Sequence, residues 1–333
     1  MSKHTKKSKR IVKLIILIVV LAIVATIGYG VYYVAAKFGK INFQALDKSN
    51  LGINDNLYSE VSDNMSQKEY DSIINILLIG SDSENGYDKE KHSDVIMLFS
   101  LNPVKKSIKL ISIPRDVATD IENYKRFKLN KSYALGGEQL LIKSINSTFG
   151  LTIDEYITID FEGMIDVINR IGGIEMDITY DEMLYINSGL KQMYKISDND
   201  YRSLKSYGKV TLNGEQAMVH ARNRTTANDI ARTEKHRDVL TAIINKISTK
   251  TGKEILDLSD YILDDVTTNA DVMGYMSMLP NFIMEKNKYL SNITSVLVPS
   301  MEYSKGQMVN GAYLIETDIN KAKADFRKYM YEM

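Results

Sequence analysis

The chain opens with one unbroken apolar block and then changes character. From Leu14 to Ala36 no residue is charged, and that run is long enough to span a bilayer core of ~30 Å. From Ile73 onward the apolar residues come in short bursts. Ile73–Ile79, Val95–Leu101 and Ser107–Ile113 read as strands. Asn102-Pro103 marks a turn between the last two, which predicts a hairpin. Tyr156–Ile159 and Ile174–Ile178 are shorter strands. After Gly136-Gly137, the spacing of Leu141, Ile142, Ile145 and Phe149 predicts a helix. A second helix, Phe161–Ile171, is closed by Gly172-Gly173. Asn213 is placed to cap a short helix through His220, and Asp229 a longer one toward Ile247. Residues 181–207 are polar with several tyrosines and read as an inserted loop or lid. Beyond Asp257 come two weak helical patterns and the strand-like Thr294–Val298.

Strands and helices alternate, so the class is α/β, and the hairpin makes the central β-sheet mixed rather than purely parallel. The expected architecture is a mixed central β-sheet flanked by helices, with an N-terminal transmembrane helix. It divides into a basic tail (1–13), the span (14–36), a stem (37–70) and an extracytoplasmic domain (71–333). The stem, rich in Asp, Asn, Ser and Lys, reads as either a linker or a short ordered subdomain. Lys3, Lys6, Lys7, Lys9, Arg10 and Lys13 precede the span, which keeps that end cytoplasmic. The alternative is a cleaved signal peptide ending near Val34-Ala35-Ala36, although such apolar cores usually run only about 7–15 residues.

Charge sharpens the picture. The 333 residues carry no net charge and include no cysteine, which excludes disulfides, thiolate metal sites and a cysteine nucleophile. Against that neutral background, Arg222, Arg224, Arg232, Lys235, His236 and Arg237 crowd one stretch with only Asp229 and Glu234 as acids. The cluster straddles a loop-to-helix junction, where helix amides add to an anion-binding field. Guanidinium groups suit phosphate oxygens. The competing reading is a solvated basic helix face. Arg115 leaves a strand after Pro114, at the kind of sheet edge where α/β proteins bind ligands, though it also fits a surface pair with Asp116. Asp82 and Asp94 flank neighbouring strands. Two carboxylates without histidine suit a hard cation such as Mg²⁺ shared with phosphate oxygens; read alone, they also fit loop acids capping turns. Lys128 and Asn130 are weaker signals. No phosphate-loop, dinucleotide or zinc-helix motif is present.

Taken in order, these segments resemble the LytR–CpsA–Psr family of cell-wall glycopolymer ligases. The resemblance rests on Ile-Leu-Leu-Ile-Gly-Ser-Asp-Ser at 76–83, Ser-Asp-Val-Ile-Met-Leu at 93–98 and Ser-Ile-Pro-Arg-Asp at 112–116. It continues through Lys-Leu-Asn-Lys-Ser-Tyr-Ala-Leu-Gly-Gly at 128–137, Ile-Gly-Gly-Ile-Glu at 171–175, Leu-Asn-Gly-Glu-Gln-Ala at 212–217, and Arg222, Arg224, Asp229 and Arg232. It implies a membrane-anchored, extracytoplasmic transferase that moves a glycopolymer from a polyprenyl-pyrophosphate carrier to peptidoglycan. By that resemblance Asp82 and Asp94 hold Mg²⁺, and Arg115, Arg222 and Arg232 grip the pyrophosphate. Arg224, Lys128, Asp229 and Lys235 lie beside them, and the lipid tail enters an apolar tunnel between sheet and helices. Nucleic acid is not an expected partner, because the basic cluster lies outside the cell. A pyrophosphatase acting on the same lipid-linked glycan, and a non-catalytic envelope regulator, are the alternative functions. Glu84, His92, Ala231 and the Lys235-His236 pair depart from the family pattern.

Overall fold

The computed structural model describes residues 42–81, 92–194, 202–223, 229–251, 253–254, 257–258, 266–309 and 311–331. Its strands are β1 (Asn42–Phe43), β2 (Ile74–Ser81), β3 (Ser93–Asn102), β4 (Ser107–Ser112), β5 (Ala118–Asp120), β6 (Arg126–Lys128), β7 (Glu155–Asp160), β8 (Ile174–Ile178), β9 (Gly208–Leu212), β10 (Val266–Thr268), β11 (Ile293–Leu297), β12 (Ser304–Val309) and β13 (Ala312–Thr317). Its helices are α1 (Leu57–Val61), α2 (Gln67–Ser72), α3 (Leu129–Phe149), α4 (Phe161–Arg170), α5 (Tyr180–Tyr194), α6 (Gly214–Ala221), α7 (Asp229–Ser248), α8 (Val272–Leu290) and α9 (Ile319–Tyr331). The expected transmembrane run lies outside the described residues. Among the described residues no helix is long and apolar enough to cross a membrane.

Seven strands form the central sheet in the order β1-β10-β7-β2-β3-β4-β11. The pairs β2–β3 and β3–β4 are antiparallel, while β2–β7 and β4–β11 are parallel. The mixed sheet read from the Asn102-Pro103 hairpin is therefore present.

Alternation along each strand decides what each face packs against. Leu77, Ile79, Ile96, Leu98 and Ile111 point to one side, where they meet Leu141, Ile142, Ile145 and Phe149 of α3 and Phe326 of α9. Those four α3 side chains are at most 1% exposed, and each such burial stabilises by about 1.5–3 kcal/mol. Met97, Ile108 and Leu110 point to the other side, toward Leu240 and Ile244 of α7 and Tyr289 of α8. A third cluster joins α4, β8, α5, β9, α6 and α7 through Ile168, Ile174, Ile186, Leu212, Val219 and Val239.

Two expectations need correction. The segment read as a loop or lid contains α5, whose Ile186 and Leu190 are fully buried; its polar residues occupy the outer faces of an amphipathic helix. The helix expected after Gly136-Gly137 is present; a further helical segment from Leu129 precedes it across a break at those two glycines. The tail contains an unforeseen hairpin, β12–β13, which joins the body where Ile315 N–H donates to the Asp116 carbonyl. The stem resolves in favour of ordered structure, since Leu51, Leu57, Val61 and Met65 belong to the main core.

Candidate functional site

The candidate site lies at the end of the sheet where β2 and β7 terminate. There Leu78, Gly80, Val95, Met97, Ile157 and Ile159 form one wall of an apolar cavity of about 250 Å³. The opposite wall comes from Phe161, Met164 and Val167 of α4, Met218 and Ala221 of α6, and Val239, Leu240 and Ile243 of α7. Gly80 keeps this wall flat, because a Cβ there would stand 2.9 Å from that of Val95. The tunnel expected between sheet and helices thus corresponds to a real cavity.

Cations rim it. The capping box of α6, built by Asn213 and Gln216, fixes the helix register. Arg222 follows directly at its C-terminal cap, with its guanidinium 4.0 Å from the centre of the Phe161 ring. The Tyr185 hydroxyl donates to the Arg222 carbonyl across 3.1 Å and steadies that turn. Beside the cavity lies a small polar pocket lined by Asp94, Arg115, Asp116, Thr233 and His236. Val95 and His236 line both spaces, so apolar cavity and polar pocket share one wall.

Inside the polar pocket the charges are interlocked. Arg115 Nη1 donates to Asp94 Oδ1. Asp116, only 1% exposed, pairs with Lys128 Nζ at 2.6 Å and faces Arg115 Nε at 3.7 Å. One buried carboxylate therefore holds two cations side by side at the pocket. Sequence reasoning paired Asp116 with Arg115 but missed this central position. A directly adjacent acid after a strand-exit arginine was the available signal. Phe161 beneath Arg222 had no such signal.

Of the other expected site residues, Asp82 and Arg224 lie outside the described residues. Asp229 and Arg232 fall on the first turn of α7, but their side chains are likewise outside the described residues. Lys235, expected beside the substrate, is paired with Glu182 in this structure. Its Nζ donates to Glu182 Oε1 of α5 at 2.5 Å, and it lines neither space because one position along a helix turns a side chain by about a quarter of the circumference. His236, next along, takes the place expected of it. Burial would raise the Glu182 carboxyl, but the Lys235 hydrogen bond and its neighbours outweigh that and hold it below the usual range. His220, 1% exposed, is pushed down to about 4 by burial and then by Lys235.

Among the described residues no group of three His, Cys, Asp or Glu side chains converges on a metal position. Asp94, 21% exposed at the pocket, supplies one hard oxygen donor beside the cations that would hold an anion. That donor chemistry fits Mg²⁺ shared with phosphate oxygens.

Fold and site together define a layered α/β protein with a cation-rimmed apolar cavity, suited to a ligand that joins a long apolar tail to an anionic head. Residues 40–329 match the LytR_cpsA_psr family, and the chain belongs to that family. It is 29% identical over 305 residues to polyisoprenyl-teichoic acid–peptidoglycan teichoic acid transferase TagV of Bacillus subtilis (strain 168), covering 88% of this chain and 71% of that protein. Its fold is similar to that of TagT bound to LIIa-WTA, with a TM-score of 0.63 and 22% identity, over 80% of this chain and 94% of the other. It is also similar to the LytR-CPS2A-psr family protein YwtF (TagT) with bound octaprenyl pyrophosphate lipid, with a TM-score of 0.58 and 21% identity, over 78% and 91% of the two chains.

Proposed function

We propose that this protein transfers a glycopolymer from a polyprenyl-pyrophosphate carrier to peptidoglycan, forming a phosphodiester. The observation that carries the reading is the shared wall. An apolar cavity meets Arg222 at its rim and shares Val95 and His236 with the pocket of Arg115 and Asp116, and Asp116 also pairs with Lys128. A prenyl chain suits the apolar space; the polar pocket, at about 10 Å³, must widen as Asp94 releases Arg115 before a diphosphate can enter it.

In the reaction, an acceptor hydroxyl oxygen bonds to the phosphorus nearest the sugar. The bond from that phosphorus to the bridging oxygen breaks, polyprenyl monophosphate leaves, and the hydroxyl proton passes to a base. Such a displacement needs positioning and charge neutralisation more than covalent help. Arg115 and Arg222 serve that need, with Lys128, Arg224 and Arg232 beside them. Asp116 fixes Arg115 and Lys128, and the Phe161 face supports Arg222. Asp82 and Asp94 are the residues that would hold Mg²⁺, which when bound supplies a Lewis acid for the diphosphate oxygens.

The apolar run 14–36 anchors the domain on the outer face of the cytoplasmic membrane. β1 runs from the level of Thr158 to that of Ile157, so the chain enters the sheet from its reaction end. That direction brings the cavity toward the bilayer that supplies the lipid. The test is to incubate the full chain with lipid-linked glycan, with and without peptidoglycan and with and without Mg²⁺. Acceptor-dependent phosphodiester formation supports transfer. Release of glycan phosphate at the same rate without acceptor would replace transfer by pyrophosphatase action.

A further inference from the structure

The outer side of α5 carries apolar residues that the core does not use. Thr179 fixes the start of this helix by accepting from the Glu182 N–H at 3.2 Å. In that phase Ile186 and Leu190 turn inward and are fully buried. Leu184, two residues before Ile186, is turned about 200° away from it. Tyr180 stands one turn before Leu184 on the same side. At the entry to β9, the ring of Tyr207 meets that of Tyr180 edge-on, with 5.6 Å between centroids. Tyr180, Leu184 and Tyr207 are 54%, 48% and 61% exposed. Single exposed apolar side chains are ordinary, but large ones gathered in a cluster mark a contact surface.

This cluster lies beside the candidate site. Glu182, between Tyr180 and Leu184, pairs with Lys235 of α7. Tyr185, next after Leu184, donates to the carbonyl of Arg222 at the cavity rim. The start of α5 therefore belongs to the sheet end where β2 and β7 terminate.

A second observation comes from another part of the chain. The uncharged run ends at Ala36, and β1 begins at Asn42. The six residues 37–42 reach at most about 20 Å. The direction of β1 brings the chain into the sheet from this same end. On the membrane-anchored reading proposed above, on which this inference rests, the tether holds the cluster's end of the domain close to the headgroups. The polar surround is of mixed sign, with Lys205 and Lys209 beside Tyr207 and Asp177 and Asp181 beside Tyr180. Apolar contact rather than charge would thus hold the partner. Tyrosine is favoured in the interfacial zone of a bilayer, and lysine stems reach from there to the headgroups.

We propose that Tyr180, Leu184 and Tyr207 dock onto the outer leaflet of the membrane that anchors the chain, holding the cavity rim against the bilayer that supplies the lipid. Moving a prenyl tail through water costs about 0.8 kcal/mol per methylene. A rim seated on the bilayer lets the tail pass from hydrocarbon to apolar cavity without that exposure.

The chain contains no tryptophan, so one introduced indole is a clean reporter. Leu184→Trp and, as a control, Met284→Trp are made in the full chain, one copy per nanodisc. Met284 is also exposed, but it adjoins Glu285, which pairs with Lys106 at the β3–β4 turn, the opposite end of the sheet. In discs of brominated phospholipid, the Leu184→Trp emission should shift to the blue and be quenched several-fold more than that of Met284→Trp. Replacing Tyr180, Leu184 and Tyr207 together by serine should weaken capture of polyprenyl diphosphate from the disc several-fold. Affinity for farnesyl diphosphate added from water should stay that of wild type. Equal quenching at the two reporter positions overturns the proposal. A blue shift without quenching that appears only with two copies per disc assigns the cluster to a second chain and also overturns it. Quenching requires neither turnover nor bound diphosphate, so quenching by a protein that binds no lipid diphosphate would refute the transferase reading and leave the docking surface standing.

Discussion

His220 makes a quantitative prediction about stability. It lies in the last turn of α6, immediately before the turn that presents Arg222, and among the described residues neither ring nitrogen has a hydrogen-bond partner. Burial first, and Lys235 second, lower it from 6.5 to about 4. The unfolded chain therefore binds a proton near pH 6.5 that the folded chain refuses until about pH 4. Its stabilisation is complete above pH 6.5 and is lost as pH falls through that window. The gap corresponds to about 3 kcal/mol, a large share of the ~5–15 kcal/mol that a domain has in total. Two neighbours titrate in overlapping ranges. Glu182, held low, also loses stabilisation as pH falls through its folded value. Asp238, raised chiefly by burial, does the opposite and favours the folded state at lower pH. Urea denaturation of wild type and His220→Leu at pH 4, 5, 6 and 7 separates the contributions, since subtraction removes the acids that both proteins share. The difference should change by about 3 kcal/mol between pH 7 and pH 4. A flat difference curve would refute the reasoning.

Arg222→Ala should weaken binding of polyprenyl diphosphate roughly tenfold to a hundredfold, the equivalent of one charge-assisted hydrogen bond at about 1.5–3 kcal/mol; Arg222→Lys should recover only part, as equilibrium binding will show. Lys235→Ala should leave that affinity within about twofold while costing about 1–2 kcal/mol in urea unfolding, because it strands a half-buried Glu182; a large binding loss would return Lys235 to the substrate site. Val239→Trp should fill the apolar cavity and abolish binding of long prenyl diphosphates while inorganic diphosphate still binds, with circular dichroism confirming the fold. Asp94→Asn releases Arg115 from its carboxylate; titration should find tighter diphosphate binding than wild type without Mg²⁺ and no gain when Mg²⁺ is added.

Much of the sheet was legible because its strands alternate cleanly or run fully apolar. Ile174–Ile178 matches its expected bounds, and the β3–β4 hairpin follows from Asn102-Pro103. The caps were legible too, since Asn213 with Gln216 is a local pattern that needs no tertiary context. The misses share a cause. α5 looked like a loop because tyrosines and polar residues are interspersed among its few aliphatic positions, and only its packing on α6 and β8 makes Ile186 and Leu190 a face. β12 and β13 have weak strand patterns, with Lys305, Gln307 and Glu316 on their exposed or half-exposed sides. Their place is set by pairing with each other and by the Arg126–Glu316 ion pair to β6. Lys235 and His236 were equivalent in the sequence cluster, and only helix phase sends one to Glu182 and the other to the pocket.

The pocket's charges also explain why a run of cations does not by itself make a receptive site. Arg115 and Lys128 are each engaged by carboxylates, and Asp116 is almost completely buried between them. A buried acid in this position is costly unless both partners stay in place, so it fixes their spacing before any ligand arrives. Asp94 is different. At 21% side-chain exposure it borders solvent, and its hold on Arg115 can be exchanged for another cation. The two acids therefore divide the work: Asp116 preorganises the cations, while Asp94 sets how much of Arg115's charge is available to a diphosphate. Arg222 rests on the aromatic face of Phe161. It stands at the rim of the apolar cavity. On the proposed reading, a diphosphate lipid occupying that cavity would place its headgroup beside Arg222, with Arg115 in the adjoining pocket and its charge set by Asp94 exchanging it for another cation.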